Sequence, residues 1–161
     1  MKSWRVMMFR RNILMPTSRL FDQTSFYRQF EKDLSSARQR IIIESPFITN
    51  HRFYTLLPLL ERAMRHGVRV VINTRNPHEH ELWMRKQARD CIAKLQESDA
   101  SIFYTTALHR KIAIVDNVVW EGSLNILSQS DSCEIMRRTE SPEYVGDLIK
   151  FTKMSRWYND K

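Results

Sequence analysis

The sequence predicts an α/β fold, a mixed, mostly parallel central sheet flanked by helices on both faces. Three observations carry that prediction. Short runs rich in Ile and Val (Ile41-Ile42-Ile43, Val70-Val71-Ile72, Ile112-Ala113-Ile114-Val115) have the composition of buried strands. Longer stretches between them repeat apolar residues at helical spacing. The first two runs are separated by one such helix, which makes them parallel neighbours with a right-handed connection. At 161 residues the chain has the size of one domain and core enough to need no staple. We divide it into a basic N-terminal extension or edge strand, residues 1–21, and an α/β domain, residues 22–161.

Residues 1–21 hold Lys2, Arg5, Arg10, Arg11 and Arg19 and no acidic residue. Trp4, Val6 and Met8 alternate weakly, as in a short edge strand, and Pro16 breaks whatever precedes it. This segment reads as a basic arm for phosphates or as a leader with solvated arginines. Thr24 or Ser25 caps a first helix with Phe26, Phe30 and Leu34 on one face, ending near Ala37. The triple-Ile strand closes near Ser45-Pro46. Asn50 caps a second helix whose apolar face is Phe53, Leu56, Leu57, Leu60 and Met64. Pro58 kinks it or shifts its start, and Gly67 ends it. Val68 to Ile72 make the next strand. A third helix runs from about Glu79 to Gln96 over Met84, Ala88, Cys91, Ile92 and Leu95. Residues 101–105 form a strand. Ile112 to Val115 and Val118 to Trp120 form a hairpin around a two-residue turn, Asp116-Asn117. Residues 132–137 form a further strand. Ser141 caps and Pro142 opens a last helix over Val145, Leu148, Ile149 and Thr152.

Composition narrows the function. The 26 basic residues against 18 acidic give a formal charge of +8, which favours a polyanionic partner: DNA, RNA or an acidic membrane surface. No apolar stretch is long enough to span a bilayer. Cys91 and Cys133 lack metal-ligand spacing and read as reduced thiols. Arg10 and Arg11 interrupt any signal-peptide core, so the expected location is the cytoplasm.

The chemistry concentrates at His109-Arg110-Lys111 and Gly122-Ser123-Leu124-Asn125. His109 and Lys111 stand two apart, on one face if they lie in a strand. An imidazole and an ammonium beside a Gly/Ser/Asn loop describe an anion site, and the anion that fits is a phosphate. The plain alternative is two solvated residues on a strand. Histidine can serve as nucleophile or proton donor near neutrality. Lysine supplies a point charge, and Ser123 and Asn125 can donate to non-bridging oxygens. No acidic cluster suggests a two-metal site, so a metal-free route with no cofactor is expected.

The full pattern resembles the phospholipase D-like superfamily signature H-x-K-x4-D-x6-G-S-x-N, matched by His109, Lys111, Asp116, Gly122, Ser123 and Asn125. Five residues separate Asp116 from Gly122 where the pattern has six. The looser resemblance spans about Phe26 to Ile149. It implies the fold above and a specific mechanism: one histidine attacks phosphorus to give a phosphohistidine, a second protonates the leaving group, and water resolves the intermediate. It implies that Lys111 and Asn125 hold the phosphate, that Asp116 and Gly122 are structural, and that Glu134 is the downstream acid that orients a histidine. With one motif in the chain, the second histidine must come from another subunit. The resemblance to single-motif bacterial nucleases implies a homodimer with His109 from each copy.

Arg110, Arg137, Arg138, Arg10 and Arg11 are phosphate-contact candidates; charged residues that discourage edge pairing are the alternative. His78-Glu79-His80 invites a metal reading but lacks further ligands at recognisable spacing. Trp83, Trp4, Trp120 and Trp157 could stack on bases, pack in the core or bury at a dimer contact. Three functions follow: a metal-independent nuclease acting on DNA or RNA, a nucleic-acid-binding module with weak or no catalysis, and a lipid phosphodiesterase of the phospholipase D type.

Overall fold

The computed structural model describes residues 17–128 and 131–156. The strands β1 (Thr17–Asp22), β2 (Arg40–Glu44), β3 (Arg69–Thr74), β4 (Ser101–Tyr104), β5 (Ile112–Val115), β6 (Val118–Gly122) and β7 (Ile135–Glu140) form one sheet in the order β1-β7-β6-β5-β2-β3-β4. The helices are α1 (Ser25–Ser36), α2 (Asn50–Arg65), α3 (Leu82–Glu97) and α4 (Pro142–Phe151), with short 3-10 turns at Pro77–Glu79 and Met154–Arg156.

The sheet is mixed, but the expected mostly parallel arrangement is wrong. Only 2 of the 6 neighbouring pairs are parallel, β2–β3 and β3–β4. The reason lies in the connections. A parallel pair needs a crossover, and only α2 and α3 supply one between neighbouring strands. The turn Asp116-Asn117 can only reverse the chain, so Val115 pairs with Val118 and β5–β6 is antiparallel. The reversal propagates. β5 lies antiparallel on β2, β7 on β6, and β1 on β7.

Strand alternation sends side chains to two cores. On one face Ile41, Ile43, Val70, Ile72, Ala113 and Trp120 pack under α1, α2 and α3, with Phe26, Phe30, Leu56, Leu60, Cys91 and Leu95 as the helical contribution. On the other, Ile42, Val71, Ile114 and Val119 lie under Val145 and Leu148 of α4 and Met154. Trp120 is fully buried and stacks its edges among Phe21, Phe26 and Phe30, so of the tryptophans it is a core residue. Trp83 is exposed, and Trp4 and Trp157 lie outside the described residues.

Boundaries move for local reasons. Thr49, not Asn50, is the residue before α2, and the helix runs on through Pro58. The third helix starts at Leu82 because Pro77–Glu79 first makes a 3-10 turn, capped by the Asn76 side chain accepting from His78 N at 3.0 Å. The strand predicted over residues 132–137 lies instead at Ile135–Glu140. Within the predicted extension, β1 is an edge strand paired with β7. The alternation at Trp4, Val6 and Met8 lies outside the described residues.

Asp116 fastens the two halves of the sheet. It adopts φ 51°, which aspartate tolerates in a turn. Its carboxylate accepts from three successive backbone N–H groups, Arg38 at 2.8 Å, Gln39 at 2.9 Å and Arg40 at 3.0 Å. That is a scaffold role, reached through the chain entering β2.

Candidate active site

Because β5 runs antiparallel to β2, its start lies beside the end of β2. Glu44 sits opposite Ile112 on one side and Asn73 of β3 on the other. The ends of two parallel strands and the entrance to the motif strand therefore meet at one edge of the sheet. This is the end where α/β sheets place ligands.

His109 and Lys111 are not strand residues, as the sequence suggested; β5 begins at Ile112. The departure has a cause. Arg110 is drawn across to Glu44, its Nε to Oε2 and its Nη2 to Oε1, both at 2.7 Å. Glu44 is fully buried and also accepts from Asn73 Nδ2 at 2.8 Å; Asn73 Oδ1 in turn accepts from Thr105 Oγ1 at 3.1 Å. This closed network sets the path of the segment carrying His109 and Lys111. Arg110 thus has its guanidinium fork occupied by a carboxylate.

His109 is exposed and Lys111 is buried. Lys111 Nζ donates to His109 O at 2.7 Å and lies 3.2 Å from His109 Nδ1. An ammonium only donates, so that second contact makes Nδ1 the acceptor and places the ring proton on Nε2. Burial, and then the positive charge of Arg75, push the Lys111 pKa below that of an ordinary lysine, while Glu134 pulls the other way. Among the described residues Lys111 has no ion pair.

The loop after β6 arrives alongside. Gly122 N–H reaches Lys111 O at 3.4 Å. A Cβ at Gly122 would overlap the Ile135 carbonyl oxygen and crowd Met136, so this position accepts only glycine. Ser123 is fastened to β7: its N–H donates to Ile135 O at 3.0 Å, and its Oγ accepts from Ile135 N at 3.1 Å and donates to the Glu134 carboxylate. Buried Leu124, Ile126 and Leu127 anchor the loop. Leu127 N–H donates to Ser45 Oγ at 3.1 Å, and Tyr27 Oη donates to Ile126 O at 3.1 Å. Asn125 Oδ1 is buried with no partner, an orphaned polar atom at the site.

The other candidates divide. Arg137 is exposed and lines an open groove with Leu20, Lys111, Ile112 and Gly122. Arg138 is pinned inward, Nε to Asp33 Oδ2 at 2.9 Å and Nη2 to Oδ1 at 3.0 Å. Arg10 and Arg11 lie outside the described residues. His78 and His80 separate: His78 is exposed with Nε2 3.4 Å from Arg89, while His80 is buried 5.3 Å from the Phe47 ring. Burial, and then the charge of Arg75, lower the His80 pKa. Among the described residues no three His, Cys, Asp or Glu side chains converge as a metal site.

Sequence reasoning missed Arg75, Glu44, Asn73 and His80 as neighbours of the motif. A signal existed for two of them. Glu44 is a carboxylate closing a triple-Ile strand, and Arg75 follows the end of a parallel strand.

Comparison with known proteins places this arrangement. The family model described as cardiolipin synthase, PLD-like domain, matches residues 30–155. No curated protein matches the sequence. Among solved structures, the phospholipase D family member Nuc from Salmonella typhimurium superposes with a TM-score of 0.72 at 17% identity, covering 88% of this chain and 94% of that one. NucT from Helicobacter pylori gives 0.70 at 17% identity, covering 86% and 94%. TrmBL2, an archaeal chromatin protein, gives 0.59 at 17% identity, covering 86% of this chain and 52% of that one. At such identities the likeness is one of fold.

Proposed function

From the premise that the chain belongs to the phospholipase D-like family, we propose that it is a metal-independent phosphodiesterase that hydrolyses DNA or RNA through a phosphohistidine, its site completed by a second copy of the chain. The observation that carries this reading is the buried Lys111 ammonium, joined to His109, without a carboxylate ion pair among the described residues. A buried cation left unpaired calls for an anion. Net positive charge supports a polyanionic substrate.

In this mechanism His109 Nε2 of one copy attacks phosphorus and the P–O bond to the leaving nucleoside breaks. The imidazole of the other copy, protonated, gives its Nε2 proton to the leaving oxygen. Water then attacks the phosphohistidine, surrendering a proton to that second ring, and frees the first. Lys111 and Asn125 hold non-bridging oxygens as charge builds. Attack requires a lone pair on Nε2, hence a proton on Nδ1; in the attacking ring Nδ1 leaves the Lys111 contact and donates to a carboxylate, the role we give Glu134. The second ring, as general acid, carries protons on both nitrogens, so its Nδ1 donates and does not accept from Lys111; loss of the Nε2 proton leaves it neutral. Ser123, Asp116 and Gly122 hold the loop and hairpin in register. Arg137 meets backbone phosphates along the groove.

The test is cleavage of labelled single- and double-stranded DNA and RNA in excess EDTA, with His109→Ala in parallel. Activity that persists in EDTA and disappears in the variant is the expected result; cleavage by the variant at the parent rate overturns the assignment. A second reading, a nucleic-acid-binding module without catalysis, is favoured by one observation, the commitment of the Ser123 hydroxyl to Glu134. Salt-sensitive binding with no cleavage selects it.

A further inference from the structure

Arg110, Arg138 and Arg75 are used differently. The forks of Arg110 and Arg138 close on Glu44 and Asp33. Arg75, one residue past β3, has no ion pair among the described residues. Its side chain is nonetheless held in place. Nε donates to Leu108 O at 2.6 Å, one residue before His109. The guanidinium carbon stands 5.3 Å from the Phe47 ring centroid. Among the described residues this leaves the Nη1–Nη2 edge of a half-buried guanidinium without a protein acceptor. Its surroundings sharpen the point: its charge is felt at both Lys111 and His80, and His80, 6% exposed, keeps a buried Nε2 with no partner. The Arg75 charge bears on the Lys111 ammonium strongly enough to lower its pKa, so the two cations repel. An anion bound by both relieves the repulsion.

We propose that Arg75 is a phosphate-binding residue of this site, its free guanidinium edge taking non-bridging oxygens of a phosphodiester as the companion of Lys111. The assignment rests on the reading of the site as one for nucleic acid phosphodiesters. A planar fork grips two oxygens of one phosphate, which an ammonium cannot do. Anchoring by Nε orients that edge before the ligand arrives, so little side-chain entropy is lost on binding.

The experiment measures fluorescence anisotropy of a labelled single-stranded oligonucleotide with the full chain across a salt series, in the His109→Ala background so that the probe stays intact. Arg75→Gln is expected to weaken binding about tenfold and to lower the slope of log affinity against log salt by about one phosphate contact. Arg75→Lys restores the slope without restoring full affinity. It also guards against misfolding of the Gln variant, as does a thermal melt of each protein. A probe that ignores the parent, or binds parent and both variants with the same slope, overturns the assignment. The outcomes separate from those of the catalytic reading. A protein that never cleaves in EDTA but loses the salt slope keeps Arg75 and sinks the nuclease. One that cleaves with an unchanged slope does the reverse. Hydrolysis of bis(p-nitrophenyl) phosphate then locates the contact: an equal loss there places Arg75 on the scissile phosphate, and no loss places it on a neighbour.

Discussion

Two groups of charged side chains serve the same sheet and are built on opposite plans. Around Asp33 everything is matched. The carboxylate is 5% exposed and accepts from Trp120 Nε1 at 2.8 Å, Arg138 Nε at 2.9 Å, Arg138 Nη2 at 3.0 Å and Gln29 Nε2 at 3.2 Å. Around Lys111 the described residues supply hydrogen-bond acceptors but no ion pair. The Arg75 charge acts on both the Lys111 ammonium and the buried His80 ring. The same residue types lock the fold where the anion is built into the chain; where it is not, they are the basis of the binding site proposed above.

Four measurements can break or sharpen that contrast. The largest effect is expected at His109→Ala, which removes phosphodiesterase activity by at least ~10³-fold while leaving the denaturation midpoint unchanged; a large loss of stability would make the open end structural. Next is Asp33→Ala, which strands Arg138 and the Trp120 N–H in the interior and costs roughly 3–5 kcal/mol by urea unfolding. Oligonucleotide affinity at permissive temperature should not change, and a parallel loss would mean that the two groups are coupled. Lys111→Met should weaken oligonucleotide binding by about tenfold and hold or slightly raise stability, because a desolvated cation is gone; a clear fall in stability would show that the ammonium is paid for within the fold. The smallest effect is on pH. The folded chain holds the Lys111 proton less tightly than the unfolded chain, since burial and Arg75 lower its pKa. Between the lowered and the ordinary lysine pKa the unfolded chain carries more protons, so stability rises with pH across that interval. In Lys111→Met this part of the rise should vanish from alkaline unfolding curves.

The contrast also explains what the sequence disclosed. Helices and buried strands were legible because their apolar spacing is local: Phe26, Phe30 and Leu34 mark α1, and Ser141-Pro142 opens α4. The motif residues were legible because their order is written along a single hairpin. Strand direction was not, since two helical crossovers early in the chain suggest a parallel sheet while one tight turn later reverses the rest. β1 hid because almost none of it is buried; pairing with β7, not side-chain packing, holds it. The roles of Arg110, Arg138 and Arg75 were hidden for a related reason. A basic residue reveals its use only through its partner, and the partners Glu44 and Asp33 lie 66 and 105 residues away along the chain.

The grip of Asp116 on residues 38 to 40 has a kinetic consequence. Those bonds join groups 76 to 78 residues apart, at the seam where β5 is laid against β2. Closing a loop of that size costs about 4 kcal/mol of chain entropy by a (3/2)RT ln n estimate, and such non-local contacts slow folding. The β2–β3–β4 unit can assemble through near neighbours before this happens, but Glu44 cannot meet Arg110 until β5 docks. Site assembly thus waits on this non-local closure. An Asp116→Asn chain should show it as slower refolding, with unfolding changed less.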